Sequence, residues 1–268
     1  MELCVFSKHL QEYGFTQLAR ALKSIGVDGV DLTVRPRGHV EPQAVKDRLP
    51  EAVSALAAQG VRVAMITTAF TSADEPHARV TLETAASLGI RFFKIGYLMY
   101  DGFGTLDKAL REGNARLRAL AALAKDLGIW GGYHNHSGEY LGSTVAHMNR
   151  LLDNVDPEGA GVFFDVGHAT MEGALYGWMQ GLDDVASRVR MLALKDLVLE
   201  KRPGLHVANV VPMGQGLVQW NVFFPCMKKI ASQVGPVSIH AEYDAPAADV
   251  LALARRDREF FEKLWNER

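Results

Sequence analysis

The sequence predicts an α/β protein built as a single closed (β/α)8 barrel, and three observations lead to this prediction. Four similar junctions end a helical pattern on a glycine and then begin a short apolar strand; their glycines are Gly26, Gly60, Gly89 and Gly128. These glycines stand roughly 30–40 residues apart, which is the length of one βα unit. No Pro/Gly/Ser-rich linker interrupts the 268 residues. We therefore expect one domain over residues 1–268, with an open doubly wound sheet as the alternative.

Eight apolar segments are the predicted strands. In chain order they lie near residues 2–6, 28–34, 61–67, 91–97, 129–134, 161–167, 189–196 and 236–244. Between them, apolar residues recur at three- and four-residue steps, which is typical of amphipathic helices. Such helices are predicted within 42–60 and 105–128, and near 144–153, 171–187, 218–232 and 247–264. Strands that are apolar on both faces and joined by helices form parallel sheets covered by those helices.

One connection is unusually long. Residues 197–216 follow the seventh strand and are predicted to be a loop. Loops longer than about 12–15 residues inside a compact domain are usually lids or binding segments. No GxGxxG motif follows the first strand, which argues against a dinucleotide-binding sheet.

Composition excludes several classes of protein. The formal net charge is −2 with both signs mixed along the chain, so there is no basic stripe for nucleic acid. The two cysteines, Cys4 and Cys226, are far apart and fit a reducing compartment. The N-terminal residues lack the pattern of a signal peptide, and no stretch is apolar enough to cross a bilayer. We expect a cytoplasmic protein without a nucleic-acid or membrane partner.

Polar residues end several predicted strands, where a barrel builds its active site. The segment FFDVGHA places Asp165 at the end of an apolar run and His168 just beyond it. Asp165 could cap the next helix, but that helix is predicted to begin nearer Thr170, which favours a functional role.

The last strand carries a polar face. Alternation in VSIHAEYD places His240, Glu242 and Asp244 on one side, which would point into the barrel mouth. The alternative is a solvated strand end.

The segment GGYHNHSGEY contains two histidines that alternation places together, His134 and His136, and a loop carboxylate, Glu139. Paired imidazoles at this spacing either bind one metal or are hydrogen-bonded polar residues. With Asp165 and Glu242, His134 offers nitrogen and oxygen ligands suited to Mn, Mg, Co or Zn.

Two further strand ends are charged. Arg35, Arg37 and His39 follow the second strand and would favour a hydroxylated or anionic substrate, or else form a solvated loop. Lys195 and Asp196 end the seventh strand, where the lysine could hold a substrate oxygen or pair with a carboxylate. Four aromatic residues could line a pocket or a subunit interface: Tyr97, Tyr100, Phe103 and Trp178.

In this order, the segments GVDGVDLTVRPRGHVEP, YHNHSG, FFDVGHA, LALKDL, VPMGQGLVQW and GPVSIHAEYD resemble the xylose isomerase-like TIM barrels, within the group called sugar phosphate isomerase/epimerase. The resemblance implies a divalent metal at the barrel mouth and two carboxylates on opposite sides of a bound sugar. It also implies that Asp165 and Glu242 bind the metal, and that His168 contacts the substrate.

Three positions depart from the family pattern. His134 stands where many relatives have a glutamate, Ala193 where they have a histidine ligand, and Gln215 where glutamate is expected. The expected metal is therefore less firmly implied, unless His134, His136 or His240 compensates.

The sequence thus predicts a sugar isomerase or epimerase that moves a proton next to a carbonyl. Glu242 would be the base, His134 or Glu139 would return the proton, and a metal on Asp165, Glu242 and His134 would polarise the carbonyl. Lys195 would hold a substrate oxygen. The predicted substrate contacts are His168, His136, Arg35, His39 and His240.

Two alternatives stay open. One is a dehydratase or lyase of the same barrel, and the other is a sugar-binding protein without metal, which Ala193 favours. An endonuclease is disfavoured by the charge balance. The partner is expected to be a small carbohydrate, and a homo-oligomer is compatible with the sequence.

Overall fold

The computed structural model describes residues 1–267, and in them eight parallel strands close into a barrel. The strands in chain order are β1 (Glu2–Phe6), β2 (Gly29–Thr33), β3 (Arg62–Thr67), β4 (Phe92–Ile95), β5 (Trp130–His134), β6 (Ala160–Asp165), β7 (Val189–Leu194), β8 (Asp196–Arg202), β9 (Leu205–Val211) and β10 (Pro236–Ile239). Strand β10 pairs with both β7 and β1 and so closes the ring, while β8 and β9 lie outside it. The predicted closed barrel is confirmed and the open sheet is excluded. Arg268, the last residue of the predicted domain, lies outside the described residues.

Helices cover the outside of the barrel. They are α1 (Phe15–Ser24), α2 (Val45–Ala57), α3 (Ala78–Ser87), α4 (Leu106–Asp126), α5 (Met148–Leu151), α6 (Val166–Val185), α7 (Trp220–Ile230) and α8 (Ala247–Asn266). Each of the four glycines predicted to end a helix has a left-handed backbone, with φ between 67° at Gly128 and 80° at Gly89. Glycine adopts this conformation without the steric cost that other residues meet. None of the described helices is long and apolar enough to span a membrane.

Apolar side chains fill both sides of the strands. The larger core lies between the barrel and its helices, and a second cluster takes its buried members from strands only: Cys4, Ala64, Met65, Trp130, Phe163, Met191 and Ala193. Such a cluster is expected for the packed interior of a barrel. Ala193, where the family resemblance implies a histidine, is part of this apolar filling.

Three boundaries differ from the predictions. Helix α6 begins at Val166 rather than near Thr170, the last barrel strand ends at Ile239, and the predicted helix near 144–153 is only a short 3-10 turn followed by the single-turn α5.

The predicted loop at 197–216 is also corrected. Most of it is an antiparallel hairpin, in which β8 pairs with β9 from Asp196↔Val211 to Arg202↔Leu205. The two strands meet at a Pro-Gly turn, 203–204, where Gly204 has φ 78°. Apart from Asp196 and Leu197, the residues of the two strands are half-buried or exposed.

Candidate active site

The carboxyl ends of four strands bring a group of buried polar residues together. His134 ends β5, Asp165 ends β6, Lys195 follows β7 and His240 follows β10. All four are at least nine-tenths buried. They lie above Phe163, whose ring centroid is 4.7 Å from that of His134 and 5.8 Å from that of His240. The barrel interior therefore gives this polar group an apolar floor.

Asp165 uses its two carboxylate oxygens differently. Oδ1 accepts the His168 backbone N–H at 2.9 Å and caps α6. The helix cap, which was the alternative to a functional role for Asp165, is therefore present. Oδ2 has no hydrogen-bond partner among the described residues. The Asn135 side chain bonds both the backbone N–H and the carbonyl of Asp165, at 2.8 and 2.9 Å, and so fixes the strand end. One oxygen thus caps the helix, while the other forms no hydrogen bond but lies 3.3 Å from the Lys195 ammonium and faces the polar centre of the barrel mouth.

His134 lies beside that free oxygen. Its Nε2 is 3.2 Å from Asp165 Oδ2 without the geometry of a normal hydrogen bond, and its Nδ1 is 3.3 Å from the Tyr97 hydroxyl. Burial lowers the pKa of His134 well below its usual value, so the ring is neutral. A neutral imidazole with an available nitrogen is a metal ligand.

His240 completes a three-residue group. Its ring stacks on Phe6 with centroids 4.7 Å apart and on His134 at 5.5 Å. Nδ1 is 3.8 Å from Asp165 Oδ2 and 3.5 Å from Glu242 Oε1, and neither ring nitrogen has a hydrogen-bond partner among the described residues. Unpartnered polar atoms at such depth are rare in folded proteins and call for a ligand, water or ion.

The donor atoms of His134, Asp165 and His240 all lie within 4.8 Å of one another. Two imidazoles and one carboxylate form a ligand set that suits zinc, cobalt or iron. This arrangement fits a divalent metal, and it adds His240 as a candidate ligand beside His134 and Asp165, whereas the ligand set expected from the sequence had Glu242 in that place. The strand ends before Glu242, whose backbone N–H donates to the His240 carbonyl at 2.7 Å in a tight turn, and the carboxylate lies at the edge of this group with Oε1 3.5 Å from His240 Nδ1.

Glu242 instead pairs with two lysines. Its Oε2 is 2.5 Å from Lys8 Nζ and its Oε1 is 3.1 Å from Lys195 Nζ. Although burial opposes its charge, the Lys195 ammonium holds the pKa of Glu242 well below its usual range. Asp244, predicted on the same face, is exposed.

Lys195 is the centre of a second network. Its Nζ is 3.3 Å from Asp165 Oδ2 and 2.6 Å from His168 Nε2. Although burial disfavours the ammonium, Asp165 and Glu242 raise the pKa of Lys195. Burial and that ammonium lower the pKa of His168 well below its usual value. His168 Nε2 therefore accepts from Lys195, and its Nδ1, 2.8 Å from the Ser137 hydroxyl, holds the ring proton.

Four other predicted site residues, at the rim around Lys195, differ in how deeply they are buried. His136 is half-buried with its ring 3.8 Å from that of His168, and burial and the Lys195 charge lower its pKa to about 4. Arg35 is half-buried over the Phe6 ring at 5.6 Å. Arg37 is exposed. Glu139 is exposed and its side chain makes no hydrogen bond or ion pair with the described residues.

His39 is occupied by local contacts. Its Nδ1 is 3.1 Å from the Thr33 hydroxyl and its Nε2 is 3.3 Å from the Leu10 carbonyl. Both ring nitrogens therefore have partners that hold the loop after β2. Neither nitrogen is left for the predicted contact with substrate.

Asp196 anchors the connection that begins at the mouth. Its carboxylate accepts the backbone N–H groups of Leu197, Gly214, Gly216 and Val218 at 2.9–3.1 Å and the Trp220 indole N–H at 2.8 Å. This carboxylate therefore fixes the base of the β8–β9 hairpin, and Lys195 beside it.

Two buried charges were missed by the sequence analysis. Lys94 lies near the end of β4 with Nζ 3.6 Å from the Tyr97 ring centroid, and burial and the Arg35 charge lower its pKa to about 7. Asp31 lies within β2 and is fully buried. A charged residue inside an otherwise apolar strand, as in GVDLT and FFKI, was the available signal.

Residues 19–264 match the family model described as xylose isomerase-like TIM barrel. The chain belongs to this family. Membership confirms the resemblance found in the sequence, and it agrees with the closed barrel and with the polar strand ends.

The curated relatives and solved structures that resemble this chain share little sequence identity with it. Inosose dehydratase 2 of Bacillus cereus is 27% identical over 158 residues, which cover 55% of this chain and 52% of that protein. The chain thus spans about half the length of the curated relatives it matches. D-psicose 3-epimerase from Clostridium cellulolyticum, solved with D-tagatose, has a TM-score of 0.73 at 12% identity, covering 99% of each chain. The probable 3-DHS dehydratase of Bacillus anthracis has a TM-score of 0.72 at 14% identity, covering 97% of this chain and 99% of that one.

At these identities the structural likeness shows the fold alone. One barrel supports several reactions, and the site decides between them. By their names, the proteins compared here are two dehydratases and one epimerase.

Proposed function

We propose that the protein is a dehydratase that removes water from a polyhydroxylated ketone of the sugar or cyclitol class. The observation on which this rests is the contact between Lys195 Nζ and Glu242 Oε1 at 3.1 Å. An acid and a base side by side on one wall can remove a proton and protonate a leaving hydroxide on the same face of a substrate. The similarity to inosose dehydratases supports the same reaction class.

The reaction would proceed by β-elimination. Glu242 takes the proton from the carbon next to the carbonyl, the bond from the neighbouring carbon to its hydroxyl breaks, and the Lys195 ammonium protonates the departing hydroxide to give water. Glu242 is then a neutral acid and Lys195 a neutral amine. Because the two groups are in contact, direct proton transfer from Glu242 to Lys195 restores both.

Other residues would support the acid. His168 accepts from the Lys195 ammonium and fixes its direction, and Ser137 holds His168 in the tautomer that allows this. Asp165 adds a second negative neighbour that keeps Lys195 charged before the reaction. His136 and Arg35 are proposed to contact substrate hydroxyls at the rim.

A divalent metal would be held by His134, Asp165 and His240. When bound, it would supply Lewis-acid polarisation of the substrate carbonyl, which acidifies the adjacent C–H. This help matters because the resting pKa of Glu242 is low, and a weak base needs an acidified carbon.

Isomerisation or epimerisation is the second candidate, and Glu242 beside the metal cluster would serve it equally as a base. Epimerisation also needs a proton donor on the opposite face of the carbon, whereas isomerisation can return the proton to the neighbouring carbon on the same face. Glu139 is exposed, and the two ring nitrogens of His134 face Tyr97 and Asp165. The geometry therefore favours elimination over epimerisation, and product analysis separates elimination from isomerisation. The small carbohydrate partner, the cytoplasmic location and a homo-oligomer remain predictions.

The acid role can be tested with lysine variants. Lys195→Met should lower kcat for dehydration roughly 10²–10⁴-fold, the usual contribution of a positioned acid. Lys195→Arg keeps the charge and hence the fold, but its guanidinium does not release a proton, so a similar loss is expected. Lys125→Met is the matched control, since Lys125 pairs with Asp156 and Glu158 on the surface, at 2.8 and 2.9 Å. Full activity of Lys195→Arg would contradict the proposal.

A further inference from the structure

A carboxylate that the proposed reaction does not use lies inside the barrel next to the metal-ligand cluster. Asp31 is fully buried in β2, where the pairing register with β3 shifts between Val30 and Asp31. Such bulges re-aim a side chain relative to the regular pleat. A buried charge is costly unless it is bonded, so its presence in the interior needs a reason.

The contacts of Asp31 come from two strands, β3 and β10, and from the residue that directly follows β10. Oδ1 accepts the Thr67 hydroxyl at 2.7 Å, and Oδ2 accepts the Ser238 hydroxyl at 3.0 Å. The same Oδ2 is 3.9 Å from Nε2 of His240. The other ring nitrogen, Nδ1, is the one that lies near Asp165. Asp31 is the only carboxylate within ion-pair distance of Nε2 among the described residues. Two hydroxyl donors therefore fix the carboxylate and aim it at one nitrogen of His240.

We infer that Asp31 is a positioning residue for His240, an inference that rests on the metal site of the proposed function. A histidine that binds metal through one ring nitrogen keeps its proton on the other, and that proton usually points to a carboxylate or carbonyl. Here Asp31 faces Nε2, while Nδ1 faces Asp165. Asp31 thus selects the tautomer with the proton on Nε2 and leaves the Nδ1 lone pair for the ion.

The test uses cobalt(II), whose visible absorption reports its ligands, with the full-length metal-free protein. Asp31→Asn should weaken cobalt binding about 10–100-fold, the usual effect of removing such an outer carboxylate, and should change the absorption spectrum. The thermal stability of its metal-free form should be equal to or above that of the wild type, because a buried charge has been removed. Thr67→Val, which removes one hydroxyl that aims Asp31, should weaken binding by a smaller factor.

Asp257→Asn is the matched control, since Asp257 is also a buried carboxylate but contacts Tyr243 and Met213 instead. It should bind cobalt like the wild type. If Asp31→Asn binds cobalt with wild-type affinity, the inference is overturned. It is also overturned if the metal-free variant is much less stable than the wild type and its cobalt binding falls in proportion to the folded fraction. A wild-type protein that binds neither cobalt nor zinc would overturn both the inference and the metal site. The proposed dehydration by Lys195 and Glu242 is tested independently by the activity of the Lys195 variants.

Discussion

Lys195 Nζ and Glu242 Oε1, which come from two neighbouring strand ends of the barrel, lie 3.1 Å apart. Each changes the ionisation of the other: the ammonium lowers the pKa of the carboxyl, and the carboxylate helps to raise that of the lysine. The pair is therefore fully charged at neutral pH. It holds one acid and one base at a single point of the barrel mouth, next to the three candidate metal ligands.

Substitutions of Asp165 separate its two functions. Asp165→Asn keeps an oxygen for the N-cap of α6 but loses the charge, whereas Asp165→Ala loses both. We expect both variants to be inactive, and the alanine variant to unfold more easily by about 1 kcal/mol because of the lost cap. Urea unfolding of the two proteins measures this difference. Equal stability would show that the cap bond to His168 contributes nothing.

The ligand set is tested by metal content. His134→Ala and His240→Ala should each lose bound metal, while Glu242→Ala should retain it, because Glu242 is not one of the three clustered donors. With two imidazoles, zinc or cobalt should bind more tightly than magnesium or manganese. Elemental analysis of the purified variants gives the answer. Loss of metal in Glu242→Ala with retention in His240→Ala would restore the ligand set predicted from the sequence.

The anchoring of the hairpin depends on Asp196. Asp196→Ala leaves four backbone N–H groups and one indole N–H without their acceptor, so we expect a loss of about 2–4 kcal/mol in the free energy of unfolding. Faster proteolysis within 196–216 should accompany it. Proteolysis unchanged from the wild type would show that β8 and β9 are held by their own pairing.

Stability should depend on pH through Asp257. Burial raises the pKa of this carboxyl to about 6, although Tyr243 and the Met213 N–H donate to it. The folded protein therefore binds a proton more tightly than the unfolded chain, and stability from this group falls as pH rises from about 4 to about 6. The change is on the order of 2 kcal/mol. In Asp257→Asn, urea midpoints between pH 4 and 7 should change less than in the wild type, and an identical pH dependence would refute this assignment.

Much of the barrel could be predicted because its signals are local. A left-handed glycine after each helix and a short apolar run are enough to place a strand, and both signals were correct at Gly26, Gly60, Gly89 and Gly128. The hairpin was not predicted, because neither of its strands shows the period-two alternation of a half-buried strand, and the length of the segment predicted a loop.

The site was harder to predict because it depends on where each strand ends. Period-two alternation was extended past Ile239 to Glu242, but the chain turns at His240, whose ring lies next to His134 and Asp165 instead. Similarly, α6 begins earlier than its apolar pattern suggests, because the Asp165 cap fixes its first turn. Asp31 and Lys94 could have been noticed as charges inside strands, whereas their partners come from distant parts of the chain.

Product analysis in D₂O distinguishes dehydration from isomerisation and epimerisation. The wild type is incubated with inososes and related keto sugars, and the products are followed by ultraviolet absorption and proton NMR. We predict an unsaturated, ultraviolet-absorbing product with loss of one water, formed by the wild type and Lys125→Met but not by Lys195→Met. A saturated epimer or isomer that has gained deuterium next to the carbonyl, with no absorbing product, would contradict dehydration. Binding of these compounds without any turnover would contradict catalytic activity on them.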